Sequence, residues 1–228
     1  MASHDPSAPP ADATPGAPAA PTFVLLIRHG VTPTTGQVLP GRTPGLHLSD
    51  AGHDQARRVA ERLTGVPLAA LYTSPLERTR ETAAPTAAAT GLTPEIDEGL
   101  IECDFGDWTG KRLADLAKLP EWDTVQRAPS TFRFPGGESF TDMQHRMVTT
   151  LDALAARHTG QVIACFSHAD TIKVALAHAL GTPLDSFQRI GVNPASISVV
   201  GIHEDGRAEV AATNTTAGPL TDVLPARR

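Results

Sequence analysis

Three stretches of this chain put residues able to handle a charged phosphoryl group directly after an apolar run. They are Arg28-His29-Gly30, Ser74 with Arg78 four residues on, and Ser167-His168-Ala169. Arginine presents a planar fork of donors suited to phosphate oxygens. Histidine changes charge near neutral pH and serves as a nucleophile or a general acid and base. The helix starts expected after Ser74 and after Ser167 aim backbone N–H groups at the same region and favour an anion there, with Ala169 a candidate substrate contact. Brought together, two histidines and two arginines make a pocket for a dianion with an imidazole inside it. Arg-His-Gly by itself also fits a surface arginine and a hydrogen-bonded histidine, so the reading depends on three strands lying side by side.

The surrounding pattern supplies such strands. Phe23 to Ile27 is a continuous apolar run, the mark of a strand covered on both faces. Leu68 to Tyr72 and Gln161 to Phe166 read the same way, and open sheets bind small ligands at the carboxyl ends of their strands. A long Gly/Thr/Pro-rich loop, Gly30 to Leu48, follows the first strand, and loops of that length usually serve a site. Ser49 then caps a helix with Ala56, Val59, Ala60 and Leu63 on its buried face. Pro75 is placed to open the next helix, at its first position. A short strand is expected at Glu95 to Asp97 and a short helix at Leu113 to Leu119, with Pro120 to Gly137 irregular. Ser139 and Asp142 form a capping-box pair ahead of a stripe of Phe140, Met143, Met147, Leu151 and Leu154. A last helix carries Val174, Ala177 and Leu180 on one face, and Ser196 to Ile202 with Ala208 to Thr213 form a closing hairpin. The expectation is one α/β domain, a three-layer αβα sandwich with a mostly parallel central sheet, over residues 22–216.

Composition sets the remaining bounds. A length of 228 residues suits one sizeable domain, and a formal net charge of −6 argues against nucleic acid or an anionic membrane as partner. The two cysteines, Cys103 and Cys165, make neither a disulfide framework nor a metal-ligand cluster. Residues 1–21, built of Ala, Pro, Ser, Thr and Asp, read as a disordered tail without the features of a secretory signal, and residues 217–228 as a flexible one. A cytoplasmic location is expected, with no cofactor and no metal; oligomeric state is not legible.

The motifs together resemble the histidine phosphatase superfamily, the phosphoglycerate-mutase-like group. The residues that carry the likeness are Leu26 to Gly30, Ser74 to Ala83, Leu100-Ile101-Glu102 with Phe105 to Gly110, Pro135 to Ser139 and Phe166 to Ala169, in the family's order. The resemblance implies that His29 is the nucleophile and forms a phosphohistidine. It implies that Arg28, Arg78 and His168 hold the phosphoryl oxygens, with His168 acting best as a cation and His29 as a neutral base. Glu102 would protonate the leaving oxygen and then activate water. Thr35 stands where the family usually has a phosphate-contacting Asn, and Arg42, in a loop longer than usual, either extends the anion pocket or faces solvent. Asp170 stands where many mutases have Asn. Asp104 and Asp107 read as turn residues, and Trp122, Phe132 and Phe134 as either the pocket mouth or packing.

Three functions follow. One is a metal-independent phosphatase of small phosphorylated metabolites, and a second is a phosphomutase of the phosphoglycerate mutase type. The third is a catalytically silent phospho-ligand-binding module. Glycolytic mutases carry a longer basic segment after the Thr-Gly, whereas this chain has Lys111, Arg112 and Lys118 before Arg127, which favours hydrolysis. The silent module is disfavoured because none of Arg28, His29, Arg78, Glu102 and His168 is missing.

Overall fold

The computed structural model describes residues 20–216. The expected tails lie outside the described residues, save Ala20 and Pro21, which lead into the first strand. Six strands form one sheet: β1 (Thr22–Arg28), β2 (Leu68–Thr73), β3 (Glu95–Ile96), β4 (Val162–Ser167), β5 (Ile197–Ile202) and β6 (Ala208–Thr215), in the order β3-β2-β4-β1-β5-β6. The pairs β1–β4, β4–β2 and β2–β3 are parallel; β5 runs against both of its neighbours. The helices are α1 (Asp50–Arg62), α2 (Glu77–Thr90), α3 (Leu113–Leu116), α4 (Glu121–Arg127), α5 (Phe140–Arg157) and α6 (Ala169–Ala179). The architecture is the expected αβα sandwich.

The unbroken apolar run of β1 has a direct cause. Successive strand side chains point to opposite faces, and both faces here are covered. Val24 and Leu26 pack with Tyr72, Ile163 and Cys165 under Leu151 of α5 and Ile172 of α6. Leu25 and Ile27 pack with Ala164 and Phe166 under Val59 of α1 and Ala83 of α2. A separate aromatic cluster fills the connection between α2 and α5, where Phe134 meets Phe105 at 4.9 Å and Phe140 at 5.2 Å between ring centres.

Register brings the strand ends level. Ile27 and Thr73 both lie beside Phe166, and Arg28 lies beside Ser167. The amide of Ser74 donates to the Phe166 carbonyl at 3.0 Å, and that of His29 to the Ser167 carbonyl at 3.0 Å. The three polar stretches therefore leave the sheet side by side. The chain then turns sharply against α1: a Cβ on Gly30 would sit 2.7 Å from the Gly52 carbonyl oxygen, and one on Gly52 would sit 2.2 Å from that of Val31. Glycine at both positions is what allows the His29 backbone to approach the first turn of α1.

Four expectations are corrected. Pro120 to Gly137 is not irregular throughout: α4 lies within it, with Glu121 and Asp123 at its start and Arg127 at its end, charges that complement the helix dipole. Pro75 does not open α2, because Leu76 stays extended, buries its side chain and holds the position before the first helical residue, Glu77. Helix α3 stops at Leu116, leaving Leu119 exposed, and α6 stops at Ala179, so that Leu180 is half exposed rather than on the buried face. In contrast, Ser49 caps α1 and the Ser139–Asp142 capping box is formed.

Truncation should follow this burial. Leu26→Ala is expected to cost about 2–5 kcal/mol through the cavity it leaves in a fully buried site. Leu180→Ala should stay within about 0.5 kcal/mol. Urea unfolding of both variants checks this, and equal losses would contradict the layer assignment.

Candidate active site

His29 and His168 meet at the carboxyl end of β1 and β4, with ring centres 5.3 Å apart in an edge-on arrangement. Nδ1 of His29 lies 2.7 Å from the carbonyl oxygen of Gly30. A carbonyl only accepts, so Nδ1 carries the proton and Nε2 keeps its lone pair. Burial, and then the charges of Arg28 and Arg78, hold this imidazole well below its usual pKa; the ring is neutral at physiological pH.

The two arginines are held by one backbone carbonyl each. Arg28 Nη1 donates to Val192 at 2.8 Å, and Arg78 Nη2 donates to Gly41 at 2.8 Å. Arg78 is fully buried, in the first turn of α2. Arg28 Nε, Arg78 Nε and Nη1, and His168 Nδ1 are buried without a hydrogen-bond partner. An unpartnered buried polar atom is costly, so four in one place mark a site built for something else. Nitrogens of this kind around a neutral imidazole suit the oxygens of a phosphoryl group.

His168 precedes the first residue of α6, and its Nε2 lies 2.8 Å from Ser74 Oγ. Complete burial, then the charges of Arg78, His29 and Arg28, push its pKa well below the usual value.

Glu102 is buried beside these groups, its Oε2 4.0 Å from His168 Nδ1. Its Oε1 accepts from the Cys103 amide at 2.9 Å and the Thr171 hydroxyl at 3.2 Å. Its pKa is pushed up to about 7, first by burial and second by the negative charge of Asp170, against the Cys103 amide and Arg78. A carboxyl near neutrality can both give and take a proton in the pH range of the cell.

The loop that carries Glu102 is braced from behind. Arg146 donates to the carbonyls of Gly99 at 2.7 Å and Ile101 at 2.9 Å, and Arg42 Nε donates to that of Glu102 at 2.8 Å. Both guanidiniums meet the carboxylate of Glu138, Arg146 at 3.0 Å and Arg42 at 3.1 Å. Arg42 is thus neither a wall of the anion pocket nor free in solvent, and its expected place in substrate binding is corrected: its Nε and Nη2 hold the loop of Glu102.

A cavity of about 350 Å³ opens beside Arg28, His29 and Glu102. Leu39, Leu113, Trp122, Val125 and Phe134 give it an apolar side, and Lys173 with Gln188 a polar one. Thr35 and Ala169 lie on its wall. The hydroxyl of Thr35 is already engaged, accepting from the Thr32 amide at 2.8 Å. Trp122 and Phe134 face the cavity, whereas Phe132 packs between Trp108 and Phe134. Asp104 caps its own turn by accepting from the Gly106 amide. Sequence reasoning did not assign Thr32, Lys173, Gln188, Arg146 or the role of Glu138. The spacing of Lys173 three residues after Asp170 was the one local signal, and the two pair at 3.2 Å. Among the described residues, no group of three or more His, Cys, Asp or Glu side chains is placed to hold a metal ion. None of the described helices is long and apolar enough to cross a membrane.

Comparison with known proteins identifies the family. The model of the histidine phosphatase superfamily, branch 1, matches residues 24–215, and the chain belongs to that family. It is 34% identical over 205 residues to Bifunctional protein Rv2228c of Mycobacterium tuberculosis, across 88% of this chain and 56% of that protein. The chain therefore spans about half the length of that relative. It is 31% identical over 186 residues to Phosphoserine phosphatase 1 of Hydrogenobacter thermophilus, across 79% of this chain and 87% of that one. Among solved structures, Bacillus stearothermophilus YhfR matches with a TM-score of 0.80 at 28% identity, over 86% of this chain and 98% of that chain.

Removing the brace should loosen the acid's loop. Glu138→Ala leaves Arg42 and Arg146 without their shared counter-charge and is expected to cost roughly 3 kcal/mol. Urea unfolding reads the loss; a change below about 0.5 kcal/mol would place Glu138 among ordinary surface carboxylates.

Proposed function

We propose that this chain is a phosphatase that hydrolyses small phosphate monoesters, without a metal, through a phosphohistidine on His29. The observation that carries the reading is the set of four unpartnered buried nitrogens of Arg28, Arg78 and His168 around the one imidazole whose Nε2 is free to attack.

The reaction runs in two steps. Nε2 of His29 attacks phosphorus, and the bond from phosphorus to the alcohol oxygen breaks. Glu102, protonated, gives its proton to that oxygen and the alcohol leaves. The Nδ1–H bond to the Gly30 carbonyl stabilises the ring as it gains positive character. In the second step the Glu102 carboxylate takes a proton from water, the water oxygen attacks phosphorus, and the phosphorus–nitrogen bond breaks. Inorganic phosphate and neutral His29 are the products. Throughout, Arg28, Arg78 and His168 contact the phosphoryl oxygens, with the Ala169 amide at the start of α6 beside them. Thr35 contributes a wall position. The organic part of the ester rests on Leu39, Leu113, Trp122 and Phe134.

Hydrolysis is favoured over transfer to a second phosphorylated acceptor by the charges of the cavity. Lys111 and Arg112 are exposed and lie outside it, and Lys173 is tied to Asp170 and Gln188 at 3.2 and 3.1 Å. A second phosphate finds no free cation there among the described residues.

p-Nitrophenyl phosphate and a panel of alkyl, sugar and glycerate phosphates test the reading, with chelator present. Release that persists with chelator and falls at least about 10³-fold in His29→Ala is expected. Glu102→Gln should lose about 10²–10⁴-fold on alkyl phosphates and less on p-nitrophenyl phosphate, whose leaving group needs little protonation. No release from any ester by folded protein would overturn the proposal.

The pH dependence has a definite sign. The first step needs Glu102 protonated, a form lost as pH rises through about 7. His29, held well below its usual pKa, stays a competent nucleophile on the acid side. Loss at low pH then follows the substrate's own second ionisation, near pH ~6. The expected kcat/KM has a maximum close to neutrality and falls about tenfold per unit above it; a value flat to pH ~9 would remove Glu102 from the acid's role.

A further inference from the structure

We infer that Ser74 is a positioning residue that fixes the proton of His168 on Nδ1, so that this ring donates an N–H bond to the phosphoryl group. The inference deepens the proposed function and rests on that reading for the identity of the bound group. It stands on the hydrogen bonds around two side chains that are fully buried.

The contact of 2.8 Å between His168 Nε2 and Ser74 Oγ admits two arrangements. In one, Nε2–H donates to the hydroxyl. Ser74 Oγ then accepts twice, because the Leu76 amide also donates to it at 3.4 Å. Its own proton is left without an acceptor in the interior, and His168 Nδ1 turns a bare lone pair toward the site. In the other, the serine hydroxyl donates to Nε2 and accepts from Leu76. Every polar atom of Ser74 is then used, and Nδ1 carries a proton. Nδ1 is the ring atom that has no hydrogen-bond partner and that lies 4.0 Å from Glu102 Oε2. A lone pair there would repel phosphoryl oxygens, whereas an N–H attracts them. The buried donor inventory and the ligand's charge select the second arrangement.

The His29 ring lies 5.3 Å away and Glu102 4.0 Å from Nδ1, and the charges of Arg78, Arg28 and Arg146 act on the ring. Three guanidiniums beside a buried imidazole oppose a second proton on it. His168 then supplies its N–H as a neutral ring, and the tautomer decides whether it helps or hinders. Ser74 touches no substrate in this scheme and acts through His168.

Nitrogen-15 NMR of the full-length protein with labelled histidine reads this directly, with His168→Asn assigning the signals. The wild type should show His168 with Nδ1 protonated and Nε2 bare between pH ~6 and ~8. On adding inorganic phosphate, the Nδ1 proton should move to the shift of a strong hydrogen bond. Ser74→Ala should lose the preference for that tautomer and lower kcat by about 10–100-fold, the loss typical of an outer hydrogen-bond partner. Ser74→Thr, which keeps the hydroxyl, should restore both. A wild-type His168 protonated on Nε2, or on both nitrogens, at neutral pH overturns the inference whatever the variants do. So does Ser74→Ala with tautomer and kcat unchanged. The ring signals do not depend on turnover: absence of activity with Nδ1 protonated would sink the proposed function alone, and activity with the reverse tautomer would sink this inference alone.

Discussion

Positive charge buried without a counter-ion of its own is the constraint on which the rest of this structure depends. Arg28 and Arg78 sit at the carboxyl end of the sheet, each tied to one backbone carbonyl, with donors left over. Glu102 acts on both guanidiniums, and its own carboxyl is pushed up to about 7, first by burial. Burial first, and the neighbouring guanidiniums second, hold both histidines well below their usual pKa. Donors fixed in place before any ligand binds are preorganised for an anion.

That arrangement needs a rigid frame. The parallel register of β2, β4 and β1 sets three strand ends level, and the apolar side chains of β1, covered on both faces, hold the register. A slip by one residue would turn Arg28 and every core residue of β1 to the wrong side. Behind Glu102, the Arg42–Glu138–Arg146 brace fixes the backbone of a loop that has no regular structure of its own. The position of the Glu102 carboxyl therefore depends on Arg42, Glu138 and Arg146.

Much of this was legible in the sequence, and the reasons are physical. The strands of the sheet announced themselves because a doubly covered strand must be apolar throughout, and Ser49 and Ser139 announced helix starts because capping is local chemistry. Arg28, His29, Arg78 and His168 were legible because each follows a strand or opens a helix; Glu102 came through the family motif. The errors share another origin. Arg42 was misplaced because its partners, Glu138 and the Glu102 carbonyl, are distant in sequence. Helix α4 was missed because its segment, rich in turn formers on either side, is held by packing of Val125 and Trp122 against the aromatic cluster rather than by periodicity.

The central claim is that one nitrogen of one histidine carries the phosphoryl group. Rapid mixing with a phosphate monoester, quenching in alkali and peptide mass spectrometry would test it most directly. The account predicts an acid-labile phosphoryl group on His29, attached at Nε2 because Nδ1 is bound to the Gly30 carbonyl. Phosphate on Nδ1 of His29, on His168 or on any other residue, or turnover with no phosphoryl-enzyme at all, would contradict it.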